Sequence, residues 1–357
     1  MSSTYNHGGN ILTVARNLGI APTDIIDFSA SINPLGLSPK VKDAIIGAID
    51  GLIHYPDSSH LELKQALADH HGVATDNIVL ANGSTELIYN IPTHVPGRRA
   101  LVVSPSFSEY LHSLKQHQWE ITHFILSPAD GFAIDMHALQ HELNNGYDAL
   151  FLCNPGNPNG TLYPLQAIEQ IAALCHDSGV FLILDEAFMD FCEASSAKRL
   201  ITDHNLIILR SMTKFYGFPG LRLGYAMTKR ALADRLDAVG GPWSVNTLAL
   251  TAGVAALRDS EHTLRTIAYV QQEYRRLFDL LARFEQLRPY PSVTNFILIE
   301  IIAGPTTAIE LKGLLMQHRI LIRDCSDFIG LSSRFVRVAV KNRAENDRLL
   351  ECFAEIF

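Results

Sequence analysis

The chain has 357 residues, of which 47% are hydrophobic and 18% charged, and its formal net charge is −8. The length exceeds one typical core, so we expect one large and one small domain. The negative charge argues against nucleic-acid binding, which needs Lys and Arg to neutralise phosphates. We find neither an apolar run of the roughly 18 residues that span a bilayer nor a signal peptide, and we expect a cytoplasmic enzyme.

The cysteines and histidines do not predict a metal site. The five cysteines are widely scattered, and no pair has the spacing of a zinc or redox motif. Structural thiols in a reducing compartment are therefore expected rather than disulfides. The fifteen histidines show no ligand spacing either, so we expect no bound metal.

The pattern of apolar runs predicts three regions. Residues 1–40, rich in Gly, Asn, Pro and Ser, predict an extended N-terminal arm rather than a core element, and we expect this arm to pack with the small domain. Residues 41–247 predict a large α/β domain, because short apolar runs alternate there with amphipathic stretches, as in βα units. The runs lack strict alternation, which is typical of strands buried on both faces. We expect strands at 77–80, 100–103, 149–152, 181–184, 206–209 and 223–226, and helices at 61–71 and 165–178.

The first run is followed by Gly83, Ser84 and Thr85, which begin a helical stretch. The N–H groups of a helix N-terminus can bind an anion. Taken alone, an ordinary helix cap, in which Ser84 or Thr85 bonds a backbone N–H, explains these residues better.

The next two runs are followed by an aromatic residue and an amide. Phe107 offers a flat face for a heterocyclic ring, although an ordinary core aromatic explains it equally well. Asn157, in Asn-Pro-Gly-Asn-Pro-Asn-Gly, could donate a hydrogen bond to a phenolic oxygen, although such a stretch usually forms only a turn.

The runs at 181–184 and 206–209 carry the strongest chemical signal. The first ends in Asp185, and the second leads into Ser211-Met212-Thr213-Lys214, with Arg222 eight residues further on. A lysine in this setting suits a Schiff base with an aldehyde that carries a phosphate. Asp185 would be a costly buried carboxylate unless a pyridinium neutralised it. Together they predict a pyridoxal phosphate site, in which Ser211, Thr213 and Arg222 surround the phosphate. Their presence reverses the preference for an ordinary cap, so Gly83, Ser84 and Thr85 are expected to bind the same phosphate.

All these clusters follow strands, and ligands of open α/β sheets bind outside the carboxyl ends of the strands. We therefore expect them to converge on one site. Their convergence is stronger evidence than any single motif.

Residues 248–357 predict a small α+β domain. A long helical pattern covers 248–285, and a strand at 294–302, a helix at 311–317 and strands at 320–323 and 335–340 follow. Arg323 and Arg337 belong to these apolar strands, where a buried guanidinium needs an anionic partner. A structural ion pair would explain either one. Two of them beside an aldehyde cofactor suggest a substrate with two anionic groups.

Several motifs together carry a family resemblance. They are residues 29–36, 54–56, 83–86, 154–160, 185–188, 211–214 and 220–222, and they resemble fold-type I pyridoxal-phosphate enzymes with an aspartate-aminotransferase-like large domain. Within that class the chain resembles the histidinol-phosphate aminotransferase branch. The finer resemblance is to the L-threonine-O-3-phosphate decarboxylases of cobalamin synthesis, and it rests on residues 7–10, 27–36, 242–246, 320–325 and 333–339.

The resemblance implies a cofactor, a homodimer and a substrate site. It implies a homodimer with shared active sites, in which Tyr55 of one subunit reaches the cofactor phosphate of the other. It also implies that His7, Gly8, Arg323 and Arg337 engage a phosphorylated amino acid. We assign Arg337 to the substrate's carboxylate, and Arg323 with His7 to its phosphate.

Four positions depart from the pattern of the relatives. Ser31 stands where an asparagine that contacts substrate is usual, and Gly156 and Asn159 replace Asn and Thr in the loop that keeps Asn157. Phe188 replaces the tyrosine common in the aminotransferases. The decarboxylases also carry Phe there, so this change favours them.

The expected activity is decarboxylation of L-threonine O-3-phosphate to (R)-1-amino-2-propanol O-2-phosphate. The alternatives are a histidinol-phosphate-type aminotransferase and an L-serine O-phosphate decarboxylase, which Ser31 leaves open. A non-catalytic regulator with this fold is disfavoured by the charge and by the absence of a segment for a DNA-binding helix-turn-helix.

Overall fold

The computed structural model describes residues 8–304 and 306–357. Their helices are α1 Ile11–Leu18, α2 Pro39–Ala48, α3 Leu61–His71, α4 Ser84–His94, α5 Glu109–Gln116, α6 Met136–Leu143, α7 Leu165–Asp177, α8 Arg230–Asp237, α9 Thr247–Leu257, α10 Ser260–Leu281, α11 Ala308–Gln317 and α12 Arg343–Ile356. Their strands are β1 Ile26–Asp27, β2 Ile78–Ala81, β3 Arg99–Ser104, β4 Glu120–Ile125, β5 Ala149–Cys153, β6 Phe181–Asp185, β7 Leu206–Ser211, β8 Gly224–Thr228, β9 Leu287–Pro289, β10 Phe296–Ile301, β11 Ile320–Leu321, β12 Arg323–Asp324 and β13 Phe335–Ala339.

A seven-stranded sheet in the order β2-β8-β7-β6-β5-β3-β4 forms the centre of the larger part. Only β8 runs antiparallel to its neighbours in this sheet. Successive residues of a strand enter different hydrophobic clusters, as Leu184 and Ile183 of β6 do. The sheet is therefore buried on both faces, which explains why its strands are apolar without alternation.

The C-terminal part is built on a four-stranded antiparallel sheet in the order β12-β13-β10-β9. A separate hydrophobic cluster packs this sheet against α10, α11 and α12. Near the N-terminus, β1 pairs in parallel with β11, and Phe28 is fully buried in the same cluster. The N-terminal segment is thereby attached to the C-terminal part of the chain.

The expected α/β fold class is confirmed, and the six predicted strands of the large sheet form within one or two residues of their expected positions. The N-terminal segment, expected to be an extended arm, contains regular structure. Residues 11–18 form the amphipathic helix α1, whose Ala15 packs with Ile25 and Leu321. The helical pattern over 248–285 divides into α9 and α10, because Asp259 lies between them and accepts a hydrogen bond from the His262 N–H as the N-cap of α10.

Within the described ranges, no helix combines the length and the apolar composition needed to cross a membrane. All five cysteines are unpaired.

Candidate active site

The structure brings the predicted site residues together in one cavity. Its volume is about 240 Å³, and it opens at the edge where the parallel strands of the large sheet end. The predicted residues that line it are Gly8, Ser31, Ser84, Thr85, Phe107, Asn157, Asp185, Ser211, Thr213, Lys214, Arg222, Arg323 and Arg337. The predicted convergence of the strand ends therefore describes the geometry correctly.

Two predicted residues of the described chain, Gly83 and Tyr55, do not line this cavity, and Gly83 instead caps the helix whose Ser84 and Thr85 do. Tyr55 is 80% exposed on the surface of the chain, where its ring stacks on Trp243 with centroids 4.6 Å apart. His7 lies outside the described residues.

One end of the cavity is formed by the start of α4. Gly83 caps this helix with φ +82°, and a Cβ there would lie 2.6 Å from the Arg222 Nη2 atom. A larger residue would therefore displace Arg222. Gly224 is needed for a similar reason, since a Cβ there would lie 2.2 Å from the backbone nitrogen of Ser84. These glycines let β8 and Arg222 pass close to the helix N-terminus, where an anion is favoured.

Two hydroxyls complete this end. The side chains of Ser211 and Thr213 are buried, and their hydroxyl oxygens form a hydrogen bond of 2.8 Å. With Arg222 and the N-terminus of α4, they supply the donor set that a phosphate group requires.

Asp185 ends β6 at a different point of the cavity wall and is almost fully buried. Its Oδ2 accepts a 2.5 Å hydrogen bond from the Tyr110 hydroxyl, and its Oδ1 accepts one of 3.0 Å from the Ala187 N–H. Burial raises the pKa of Asp185, while Tyr110, Ala187 and the charge of Lys214 oppose that rise. A cation that entered the cavity here would favour the ionised carboxylate.

Lys214 follows β7 in a loop that the N-terminal segment holds in place. The Asn33 N–H donates to the Lys214 carbonyl at 3.0 Å, and the Asn33 amide donates to the Phe215 carbonyl at 2.8 Å. Burial, together with the charges of Arg337 and Arg222, lowers the pKa of Lys214 to about 8. Roughly one tenth of the amine is therefore neutral and nucleophilic at pH 7, far more than at the ordinary lysine pKa.

Arg337 is a buried cation without an acidic partner among the described residues. It is 7% exposed, donates to the Asn157 Oδ1 and, at 3.1 Å, to the Ser29 carbonyl, and its Nε has no hydrogen-bond partner. Its guanidinium lies 4.8 Å from the centre of the Phe296 ring. Burial lowers the pKa of Arg337 to about 10, and the charge of Arg323 acts in the same direction. An anionic ligand in the cavity would neutralise this charge.

Arg323 is also buried, but it has an acidic partner. Its Nη2 contacts both carboxylate oxygens of Asp327 at 2.9 Å, and its Nη1 donates to the Asp324 carbonyl at 2.7 Å. The structural ion pair, which was the alternative explanation for a buried arginine, is therefore present for Arg323. Arg323 nevertheless lines the cavity.

The N-terminal segment closes one side of the cavity. A Cβ at Gly8 would lie 2.2 Å from the Ser29 carbonyl oxygen, so a larger residue does not fit there. The Gly9 N–H donates to the Ser29 hydroxyl at 2.9 Å. Ser31 is buried on the cavity wall, and its hydroxyl has no hydrogen-bond partner in the described part of the chain. A ligand with a polar group could satisfy that hydroxyl.

A buried ionic network lies next to the site along the chain. Arg210, one residue before Ser211, is fully buried and contacts Glu186, Asp190 and Glu193 at 2.5–3.2 Å. These three carboxylates neutralise Arg210, in contrast to Arg337. The network thus stabilises the ends of β6 and β7, which carry Asp185 and Lys214.

His70, His71 and Glu193 also lie close enough together to share a metal ion. The Glu193 carboxylate is already paired with Arg210 at 2.5 Å and with Lys198 at 2.7 Å. We therefore assign this cluster to the ionic network.

Tyr110 and Asp327 were not predicted from the sequence as site residues. Each contacts a predicted site residue from a neighbouring element. Neither had a local signal in the sequence, because the helix that carries Tyr110 begins at Glu109 and Phe107 lies outside it.

The residues present fit pyridoxal phosphate. The phosphate matches the donors around the start of α4, and the pyridine nitrogen matches the buried carboxylate of Asp185. The aldehyde matches the Lys214 amine, and the ring matches the face of Phe107. Each part of the cofactor thus has a complementary group on the wall of one cavity.

Comparisons with known proteins agree with this fold. A family model described as aminotransferase class I and II matches residues 23–353. Threonine-phosphate decarboxylase of Salmonella typhimurium is 40% identical, over 98% of this chain and 96% of that protein. A Leptospira interrogans protein described as an adenosylcobalamin biosynthesis bifunctional protein is 31% identical, over 98% of this chain and 41% of its own length. The crystal structure of histidinol-phosphate aminotransferase from Clostridium acetobutylicum matches with a TM-score of 0.86 and 28% identity, covering 92% of this chain and 98% of that chain. The chain belongs to the aminotransferase class I and II family.

Proposed function

We propose that the protein decarboxylates L-threonine O-3-phosphate to (R)-1-amino-2-propanol O-2-phosphate in cobalamin biosynthesis, with pyridoxal phosphate as its cofactor. The observation that carries the proposal is the pair of buried guanidiniums, Arg323 and Arg337, on the wall of the cavity that contains Lys214. They suit a substrate with two anionic groups. The 40% identity to a threonine-phosphate decarboxylase supports the same substrate.

The cofactor would be held at its phosphate, its ring nitrogen and its aldehyde, the last of which Lys214 would bind. Ser84, Thr85, Ser211, Thr213 and Arg222 would bind its phosphate, and Asp185 would contact the ring nitrogen. When bound, pyridoxal phosphate supplies an electron sink for the negative charge that develops at the substrate's α-carbon. Asp185, which Tyr110 and Ala187 orient, favours the protonated ring nitrogen on which that sink depends.

Arg337 and Arg323 would determine which bond breaks. Arg337 would bind the substrate's carboxylate and Arg323, with His7, its phosphate. Holding both ends fixes the rotation about the α-carbon and so the bond that is presented for cleavage. Such positioning can contribute about 7–11 kcal/mol to catalysis.

Lys214 would hold the cofactor's aldehyde between turnovers and move a proton during them. When the carboxylate leaves as carbon dioxide, its bonding electron pair stays at the α-carbon. The Lys214 ammonium can then supply the proton that the α-carbon needs, since its pKa of about 8 allows both protonation states.

Transamination of histidinol phosphate is the nearest alternative, and the similarity to a histidinol-phosphate aminotransferase structure supports it. Phe188 on the cavity wall favours decarboxylation, since the aminotransferases commonly have tyrosine there. Decarboxylation of L-serine O-phosphate is supported by the unpartnered hydroxyl of Ser31.

We also propose a cytoplasmic homodimer, with residues 41–247 and 248–357 as its two domains. Exposed apolar side chains at the surface of the described chain support the dimer, and Ile53 and Tyr55 are the most exposed, at 83% and 80%. In the dimer, Tyr55 would reach the cofactor phosphate of the partner subunit. The unpaired cysteines support a reducing compartment.

The test is to load the protein with pyridoxal phosphate and to incubate it, in three separate reactions, with L-threonine O-3-phosphate, L-serine O-phosphate and histidinol phosphate. Carbon dioxide and the amine product are then measured. We expect carbon dioxide and 1-amino-2-propanol phosphate in equal amounts from the first substrate, and no turnover by Lys214→Ala. Transfer of the amino group from histidinol phosphate without carbon dioxide from either amino acid would refute the proposal.

A further inference from the structure

The contacts of Arg323 suggest how the site recognises the far end of its substrate. The Arg323 guanidinium is held on three sides by Asp327, the Asp324 carbonyl and the Phe328 ring, whose centre lies 5.0 Å away. Arg323 is 5% exposed, whereas the Asp327 side chain is 39% exposed. Such fixation leaves the guanidinium little freedom to rotate.

Asp327 acts on Arg323 from outside the main cavity. Arg323 and Phe328 border both the main cavity and a second, small one of about 20 Å³, and Asp327 lines the second. The acidic residue on the wall of the main cavity is Asp185. A ligand in the main cavity would therefore meet the Arg323 guanidinium with Asp327 behind it.

The two buried arginines differ in their position relative to Lys214. Arg337 is one of the cations that lower the pKa of Lys214, and it is held by neutral groups. This places Arg337 beside the reacting end of the cavity. Arg323, which Asp327 holds in place, is then the guanidinium that can bind the substrate group farthest from the α-carbon.

We propose that Asp327 is a positioning residue that orients Arg323 toward the substrate's phosphate and thereby makes the enzyme select phosphorylated over unphosphorylated amino acids. The inference rests on the proposed function, because it takes the phosphate as the second anionic group. Asp327 itself does not touch the substrate, since it lies behind Arg323. Its loss should therefore affect substrate capture rather than the chemical step.

The test compares Asp327→Asn with wild-type protein loaded with cofactor. We expect the KM for L-threonine O-3-phosphate to rise roughly ten-fold, with kcat within about two-fold of wild type. The kcat/KM for unphosphorylated L-threonine should not change, since that substrate has no phosphate. Asp327→Glu should recover part of the lost selectivity, and Asp327→Asn should have no further effect in an Arg323→Ala background. Glu351→Gln, which removes the partner of Arg348 from a surface ion pair on α12, is the matched control and should behave as wild type.

Each outcome decides the inference. An unchanged KM of Asp327→Asn for the phosphorylated substrate, or an equal fall in kcat/KM with both substrates, would overturn the role of Asp327. Turnover of L-threonine O-3-phosphate by wild-type protein would still support the proposed function in that case. An additive effect in the Arg323→Ala background would assign Asp327 a general structural role instead. If wild-type protein neither bound nor decarboxylated L-threonine O-3-phosphate, the proposed function and this inference would both be wrong. Thermal unfolding midpoints within about 2 °C of wild type would exclude misfolding as the cause of a changed KM.

Discussion

Replacing Arg337 with methionine should stabilise the cofactor-free protein while abolishing efficient turnover. Arg337 is a buried cation without an acidic partner among the described residues. The lowering of its pKa to about 10 corresponds to about 3 kcal/mol of unfavourable free energy for the charged form, at about 1.4 kcal/mol per pKa unit. Methionine fills a similar volume without that charge.

The expected gain in the free energy of unfolding is about 1–3 kcal/mol. Because the folded-state pKa is depressed, the charge destabilises the folded protein at every pH below about 10. The gain should therefore be the same from pH 6 to 9. The loss of a charged partner for the substrate's carboxylate costs about 2–5 kcal/mol, so kcat/KM should fall at least about 30-fold.

Arg210→Met is the matched control. Arg210 is as deeply buried as Arg337, but it is paired with Glu186, Asp190 and Glu193. Its loss leaves buried carboxylates without a cation and should destabilise the protein by about 3–5 kcal/mol. Thermal unfolding followed by circular dichroism should thus move the two midpoints in opposite directions. A lower midpoint for Arg337→Met, or unimpaired turnover, would contradict the assignment of Arg337 to a substrate anion.

Three further predictions concern the cofactor. Tyr110→Phe removes a hydrogen bond that favours the ionised form of Asp185, so cofactor affinity measured by equilibrium dialysis should fall about three- to ten-fold; unchanged affinity would show that the bond has no such role. The rate of cofactor capture by cofactor-free protein, followed by absorbance, should rise with pH with a midpoint at about 8, because only the neutral Lys214 amine reacts. A midpoint at the ordinary lysine pKa would contradict the effect of burial. Mixing Tyr55→Ala protein with Lys214→Ala protein should restore about one quarter of wild-type activity through mixed dimers, whereas no recovery would place Tyr55 in its own subunit's site or outside any site.

The sequence predicted which residues converge on one cavity, because most of these residues follow strands. Asp185 ends one apolar strand and Lys214 follows another, and the direction of parallel strands brings such ends to one edge of a sheet. Local sequence therefore carried three-dimensional information. Arg323 and Arg337 meet for a different reason, because they occupy paired positions on the antiparallel strands β12 and β13.

The partners of these residues could not be predicted in the same way. The bonds from Tyr110 to Asp185 and from Arg337 to Asn157 join residues 75 and 180 positions apart, so their formation depends on the packing of separate elements. The regular structure of the N-terminal segment could not be predicted, because its composition resembles a loop. Its order comes from the pairing of β1 with β11, which is almost 300 residues distant.

The most direct test of the account is the mass of the product that the protein forms from L-threonine O-3-phosphate in D₂O. We predict 1-amino-2-propanol phosphate that has lost the carboxylate and carries one carbon-bound deuterium, which Lys214 delivers to the α-carbon. A keto acid phosphate that retains the carboxylate and has lost the amine would contradict the central claim that this site breaks the bond to the carboxylate.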